Sequence, residues 1–485
     1  MNENKFKEIK KINMKIKNYI GTKSFYKMVI LLILPMIVQQ GISTFVNLLD
    51  NIMVGRLGTE SMSGVAIVNQ VVFVFNLTLF GGLAGASIFG AQFFGNKDDD
   101  GVRYTFRFRM IFCVTMAILA IFIFLFWGES LISLFLNGEN TNAAEIALTM
   151  QHAKEYMYIS LWGLIPFAIV QCFSSTLRDT SETVTPMISS TLAILINLVL
   201  NYLLIFGNFG FPRMGVAGAA LATVIARYIE AAYIIISTVR KRKKFTFIVG
   251  AFRSLYIPSS VIKKIARTGS PLFFNELLWA IGMAIINQSY STKGLVAVAA
   301  ININGTVWNL FALIMMAMGN AIGILAGQQL GSGNVKKAKD WVKKLITFNL
   351  AVNLFIGAAL FFAAPFIPRL YNTEPIVRQT ATQLIMVAGA FFPLTSYVHA
   401  TYFTIRSGGK TGITFLFDCV FTWVVCLPIA FFLCRYTGLS VVWVFFFVQC
   451  ADFIKAIIGT ILMRSGIWAH SLVKETEKQP AAQIS

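Results

Sequence analysis

Asp50 stands in an apolar run, LPMIVQQGISTFVNLLDNIMVGRLGTESMSG over 34–64, where nothing else between Leu34 and Val54 is charged. A carboxylate near the middle of a bilayer costs about 2.5–3.5 kcal/mol or more, so such a residue normally faces a partner or a cavity and marks a functional site. Asn197 and Asn201 sit at i, i+4 in a later apolar run and share one helix face, and Thr223 lies in the run after that. One carboxylate with amide and hydroxyl oxygens is a donor set that a hard monovalent cation accepts, and the same Asp can instead take a proton. The bland readings are an acid that has reached the headgroups, asparagines that hydrogen-bond helix to helix, and a threonine that packs. A second acidic pair is Glu276, five residues after Pro271, and Asp418, each placed by helix position in the inner third of the membrane. If their helices pack, two neighbouring acids make a proton site.

Other polar residues suit structural work. Asp452 with Lys455, and Arg227 with Glu230, have the i, i+3 spacing of ion pairs within a helix. Arg178 and Arg406 fall at inner helix ends, where lipid headgroups or a gate would hold them. Among many apolar residues, Phe73, Trp279, Trp308 and Met315 are candidates to line an adaptable substrate cavity. No Walker A sequence, GxSxG or paired metal-binding histidines occur, which disfavours ATP-driven transport and hydrolysis and implies a protein that is not an enzyme and needs no cofactor. The six cysteines lie in or beside apolar runs without CxxC spacing and read as buried thiols.

These residues need membrane helices to position them. The chain has 485 residues, 56% hydrophobic and 13% charged, against about 25% charged in soluble domains. Its mean hydropathy is +0.70. Runs long enough to cross about 30 Å of hydrocarbon occur near 29–53, 62–90, 107–127, 150–175, 186–207 and 214–238, then near 270–291, 295–326, 345–364, 381–404, 413–434 and 439–463. The 27 residues before the first run carry eight Lys, and the run is too long for a cleavable leader, so the N-tail is expected to stay attached. Most of the 41 Lys and Arg fall on the side of that tail, which predicts both termini in the cytoplasm and assigns the net charge of +20 to topology rather than to nucleic acid. With that orientation the first and fifth spans run outward and the sixth returns, which brings Asp50, its neighbours Asn47 and Asn51, Asn197, Asn201 and Thr223 to one level.

The spans also repeat. At an offset of 236, Pro35 matches Pro271, Asn51 matches Asn287, Gly58 matches Gly294, Gln92 matches Gln328 and Gly95 matches Gly331; LeuArg at 177–178 matches IleArg at 405–406 at an offset of 228. Two six-helix repeats in one orientation are a transporter pattern. The expected divisions are a basic tail 1–27, a bundle 28–239, a cytoplasmic linker 240–267 beginning ArgLysArgLysLys, a bundle 268–464 and a tail 465–485.

Several segments resemble the multidrug and toxic compound extrusion (MATE) transporters: LeuPro at 34–35 with NLLDNIMVGRLG at 47–58, GAQFFGNKD at 90–98, TLRDTSETVTP at 176–186, MGVAGAALAT at 214–223, PLFFNELLWAIG at 271–282 and AGQQLGSGN at 326–334. The resemblance implies an all-α integral membrane protein of twelve transmembrane helices in two pseudo-symmetric six-helix bundles, V-shaped around a central cavity. It implies an efflux antiporter in a bacterial-type plasma (inner) membrane, monomeric and surrounded by lipid, exporting small cationic or amphipathic organic compounds against Na+ or H+. Asp50 then looks like the cation-binding acid, with Asn197, Asn201 and Thr223 at the matching positions; one branch of the family has Asp where this chain has Asn201. Glu276 looks like the acid of the seventh helix, whereas Asp418 is a cation-site candidate from its depth alone. The rival readings are a flippase for a lipid-linked precursor, which calls for basic residues along a lateral opening, and a non-transporting scaffold, which leaves two buried acidic clusters without a purpose.

Overall fold

A long apolar segment in a bilayer must satisfy its backbone N–H and C=O groups internally, which leaves the helix as its solution. The computed structural model describes residues 19–136 and 143–473. Its long helices are α1 (Lys23–Gly55), α2 (Thr59–Gly95), α3 (Asp99–Ser133), α4 (Ala143–Asp179), α5 (Val184–Phe206) and α6 (Gly215–Arg240), followed by α7 (Ser259–Ser291), α8 (Leu295–Gly331), α9 (Val335–Ala363), α10 (Pro375–Ser407), α11 (Thr411–Tyr436) and α12 (Val441–Ser465). All twelve are long and apolar enough to span, so the protein is an all-α, multi-pass membrane protein. Each overlaps one expected run, and most extend past it into polar sequence. Asp99 and Asp100, for example, occupy the first turn of α3, where the helix dipole favours negative charge. The expected tails lie outside the described residues up to residue 18 and beyond Val473.

Two helices depart from regular geometry. In α4 a 3-10 turn at Leu161–Gly163 precedes Pro166, whose missing N–H would otherwise interrupt the ladder. In α11, Leu416–Val420 and Thr422–Cys426 are π-helical and end just before Pro428, placing Asp418 in a widened stretch of a kind often found at functional sites.

Contacts divide the chain into two compact units. One comprises Leu34–Gly90 and Asp99–Lys264. In it Arg109 of α3 is fully buried, paired with Asp179 and donating to Thr176 Oγ1 at 2.8 Å. Arg107, one turn from Arg103, donates to the carbonyls of Ala251, Tyr256 and Gly250 at 2.8, 2.8 and 2.9 Å. The linker after α6 is thereby folded onto α3, with Phe247 buried against Phe106.

The other unit contains the chain from Ile265 onward, with the start of α1 up to Ile33 and Ala91–Asp98 of α2. Here the end of α2 crosses the end of α8 at a repeat-related pair of glycines: a methyl on Gly95 would collide with the Gln328 carbonyl, and one on Gly331 with the Gln92 carbonyl. Small residues permit such close backbone approach. Fully buried Gln92 donates to the Ser407 carbonyl at 3.0 Å and accepts from the Leu472 N–H at 2.8 Å, tying the segment after α12 to α2 and α10.

Candidate cation site

The sequence places Asp50 on α1 about a turn from its end, and α5 presents Asn197 and Asn201 on the face it buries. Asn201 Nδ2 donates to Asp50 Oδ1 at 2.7 Å and to Asn197 Oδ1 at 3.2 Å; Asn197 Nδ2 lies 3.2 Å from Thr223 Oγ1, which donates to the Ala219 carbonyl at 3.0 Å. With the Asn197 amide turned over, its Nδ2 donates to Asp50 Oδ2 at 3.0 Å and its Oδ1 accepts from Thr223 Oγ1 at 3.2 Å. All four expected residues therefore meet. Asn47 and Asn51, expected at the same level, are exposed.

No Lys, Arg or His forms an ion pair with Asp50 among the described residues, and Asn201 Oδ1 is buried without a hydrogen-bond partner. The cluster thus combines one uncompensated carboxylate with amide and hydroxyl oxygens, a donor set that suits Na+, while Asp50 alone suits a proton. Tyr156 of α4 lies within electrostatic reach of Asp50, and its hydroxyl approaches Asn69 Oδ1 of α2 at 3.4 Å. Sequence reasoning missed both residues, although Asn69 is itself an amide inside an apolar run.

The second acidic pair is arranged differently from the expectation. Asp418 does not close on Glu276 alone: Lys455 Nζ lies 3.1 Å from Asp418 Oδ1, and Asn275 Nδ2 donates to Asp418 Oδ2 at 3.1 Å. Lys455 therefore pairs across to α11 and forms no ion pair with Asp452, which accepts from Thr395 Oγ1 at 2.7 Å. An i, i+3 spacing permits a pair but does not oblige it when a second acid faces the same lysine. Arg227 and Glu230 do pair as spaced, at 2.9 Å.

Glu276 is half-buried and forms no ion pair among the described residues, with Arg406 and Asp418 the charges nearest in effect. Arg406 is 8% exposed rather than out among headgroups, and Arg178 likewise turns inward, donating to Gln39 Oε1 at 3.3 Å.

Of the expected cavity residues, Phe73 and Trp279 are exposed on their units. Met315 is instead core, 2% exposed in a cluster with Ile356 and Phe392, while half-buried Trp308 packs edge-to-face on Phe392 with centroids 5.2 Å apart. Met315 corrects the expectation, because a Met on a spanning helix carries the same letter whether it faces a cavity or a neighbouring helix.

Comparison with known proteins adds an independent line. The family described as MatE matches residues 35–203 and 271–432. A probable multidrug resistance protein NorM of Thermotoga maritima is 27% identical over 469 residues, covering 95% of this chain and 98% of its own length. A namesake from Bacillus cereus is 27% identical over 417 residues, 85% and 89% of the two chains. Among solved structures, an outward-facing multidrug resistance MATE family transporter of the MOP superfamily superposes with a TM-score of 0.81 at 22% identity, covering 95% of this chain and 98% of that one. A MOP superfamily transporter of Pyrococcus furiosus, distinguished by the reversed polarity of its binding pocket, gives 0.79 at 22% identity, covering 93% and 97%. The two structures share the fold.

Proposed function

The chain belongs to the MatE family of transporters, and from that premise we propose that it is a secondary-active multidrug efflux antiporter, driven by Na+ or H+ entering at Asp50. The observation that carries this reading is a membrane carboxylate bonded to Asn201 at 2.7 Å yet paired with no cation among the described residues. Amide donors make the charge tolerable inside the helix bundle without cancelling it, so attraction for an incoming cation remains.

Exchange follows if the cation and the exported compound favour different states of the carrier, each binding weakening the other. Inward movement of one monovalent cation supplies about 2.3 kcal/mol per 100 mV. The names of the Thermotoga and Bacillus relatives support drugs as the exported class. Glu276, half-buried and without an ion pair among the described residues, supports a preference for cationic or amphipathic compounds. The protein acts in the plasma membrane with both termini cytoplasmic.

Drug uptake into inverted vesicles under imposed Na+ or pH gradients tests the reading. Uptake should respond to one gradient and fall at least about tenfold in Asp50→Asn, the loss expected when a charge-assisted ligand is removed. Undiminished uptake in Asp50→Asn would overturn the assignment. The same vesicles expose the C-terminal tail to added protease only if that tail is cytoplasmic.

A further inference from the structure

Asp418 has the position of a second cation-binding acid, yet a cation of the protein's own already lies against it. Lys455 Nζ is 3.1 Å from Asp418 Oδ1, and the lysine side chain is only 8% exposed. The internal repeat shows what this pair corresponds to. At the offset of 236 Asn275 matches Gln39; at the offset of 228 Asp418 matches Ser190 and Lys455 matches Arg227.

The matched residues make matched contacts. In the first half Gln39 Nε2 of α1 donates to Ser190 Oγ of α5 at 2.7 Å, Ser190 Oγ donates to Glu230 Oε1 of α6 at 2.6 Å, and Glu230 pairs with Arg227 at 2.9 Å. In the second half Asn275 Nδ2 of α7 donates to Asp418 Oδ2 of α11 at 3.1 Å, and Asp418 pairs with Lys455 of α12. Ile458 stands where Glu230 would be, so the carboxylate has moved from the last helix to the fifth while the cation has kept its place.

The Asp50 cluster has no such counterpart. Asp50, Asn197, Asn201 and Thr223 correspond to Ile286, Val425, Ile429 and Ala451, all apolar. Asp418 is therefore the relative of the closed Arg227–Glu230 network, not of Asp50.

We infer that Lys455 is the resident cation of the second half: its ammonium holds the Asp418 carboxylate in the place an exchangeable cation would take, which leaves ion exchange to the single site at Asp50. The inference rests on the proposed role of Asp50. A tethered ammonium competes well with a free ion, because the backbone holds it at high effective concentration, and a buried carboxylate deprived of its partner is strongly unfavourable. Asn275 fixes the second carboxylate oxygen. Asp452 and His399 also face Lys455, and Asp452 has its own donor in Thr395. Glu276, beside Asn275, then remains the acid of this half that a cationic substrate can meet.

Calorimetric titration of the purified full-length protein with n-propylammonium chloride tests the inference without requiring transport. Lys455→Ala leaves only Cβ and removes the propylammonium end of the side chain, so this variant should bind one propylammonium more than the wild type. The extra site should vanish in Lys455→Ala/Asp418→Asn and persist when Asp50→Asn is added. No added site in Lys455→Ala, or an added site that survives Asp418→Asn, overturns the inference.

If Lys455→Ala does not yield folded protein, drug efflux by Lys455→Met/Asp418→Asn decides. Neutralising both partners should restore efflux to at least about tenfold above Asp418→Asn alone, which leaves a buried ammonium unpaired. A double variant as inactive as Asp418→Asn would mean that the carboxylate itself takes part in exchange. Normal efflux in Asp50→Asn with the propylammonium result intact would instead overturn the reading of Asp50 and leave that of Lys455 standing.

Discussion

At Asp50 the decisive partner is an amide rather than a cation. Two opposite charges about 4 Å apart attract by about 4 kcal/mol at an effective dielectric constant of 20, whereas a hydrogen bond to a charged group contributes about 1.5–3 kcal/mol. Arg109 with Asp179 uses the first arrangement and is permanently compensated; Asp50 with Asn201 uses the second and keeps its charge. Asn201→Ala should therefore leave the protein folded but raise the cation concentration for half-maximal efflux roughly tenfold to a hundredfold. An unchanged cation dependence would remove Asn201 from the site. Depth along each helix found this cluster from sequence, although Asp50 and Asn201 are separated by 151 positions. The same arithmetic admitted Asn47 and Asn51, which the structure leaves exposed, since depth says nothing of burial.

Among the elements, α5 shows how a helix end is held where chain leaves the membrane. Glu182 lies just before its first turn; Oε1 accepts from the Thr185 N–H at 3.1 Å and from Thr185 Oγ1 at 3.0 Å, while Lys244 of the linker pairs with Oε2. Burial alone would raise the Glu182 pKa, but the Lys244 ammonium and the Thr185 N–H outweigh it and hold the carboxyl below its ordinary 4.5. A depressed folded value means that this contribution is present above pH 4.5 and lost as pH falls through the folded value. The thermal midpoint of the purified protein should accordingly lose a component below that pH, and Glu182→Gln should abolish that component while leaving the rest of the acid profile. An identical profile in the variant would show that the pair contributes nothing. The basic linker was legible as a polar connection, but its anchoring to α3 through Arg107 was not, because an arginine capping three carbonyls leaves no pattern in the letters.

Across the whole molecule, the repeat appears both as matched residues and as matched contacts. Gly95 and Gly331 were recognisable as repeat partners, and in the structure each lies against the glutamine carbonyl of the other helix. Because the obstacle is backbone, a side chain cannot be accommodated by a change of rotamer. Gly331→Leu should destabilise the protein by about 1–3 kcal/mol or more through forced separation of α2 and α8, lowering both the thermal midpoint and efflux. A midpoint equal to that of the wild type would show that this crossing is dispensable. The sequence by itself determined the twelve spans, their repeat and the acids among them, since bilayer thickness sets helix length and an intramembrane charge stands out by type alone. Tertiary structure decided which acid keeps its charge: Asp50 and Asp418 look equivalent as letters, and only helix phase and neighbours give one an asparagine and the other a lysine.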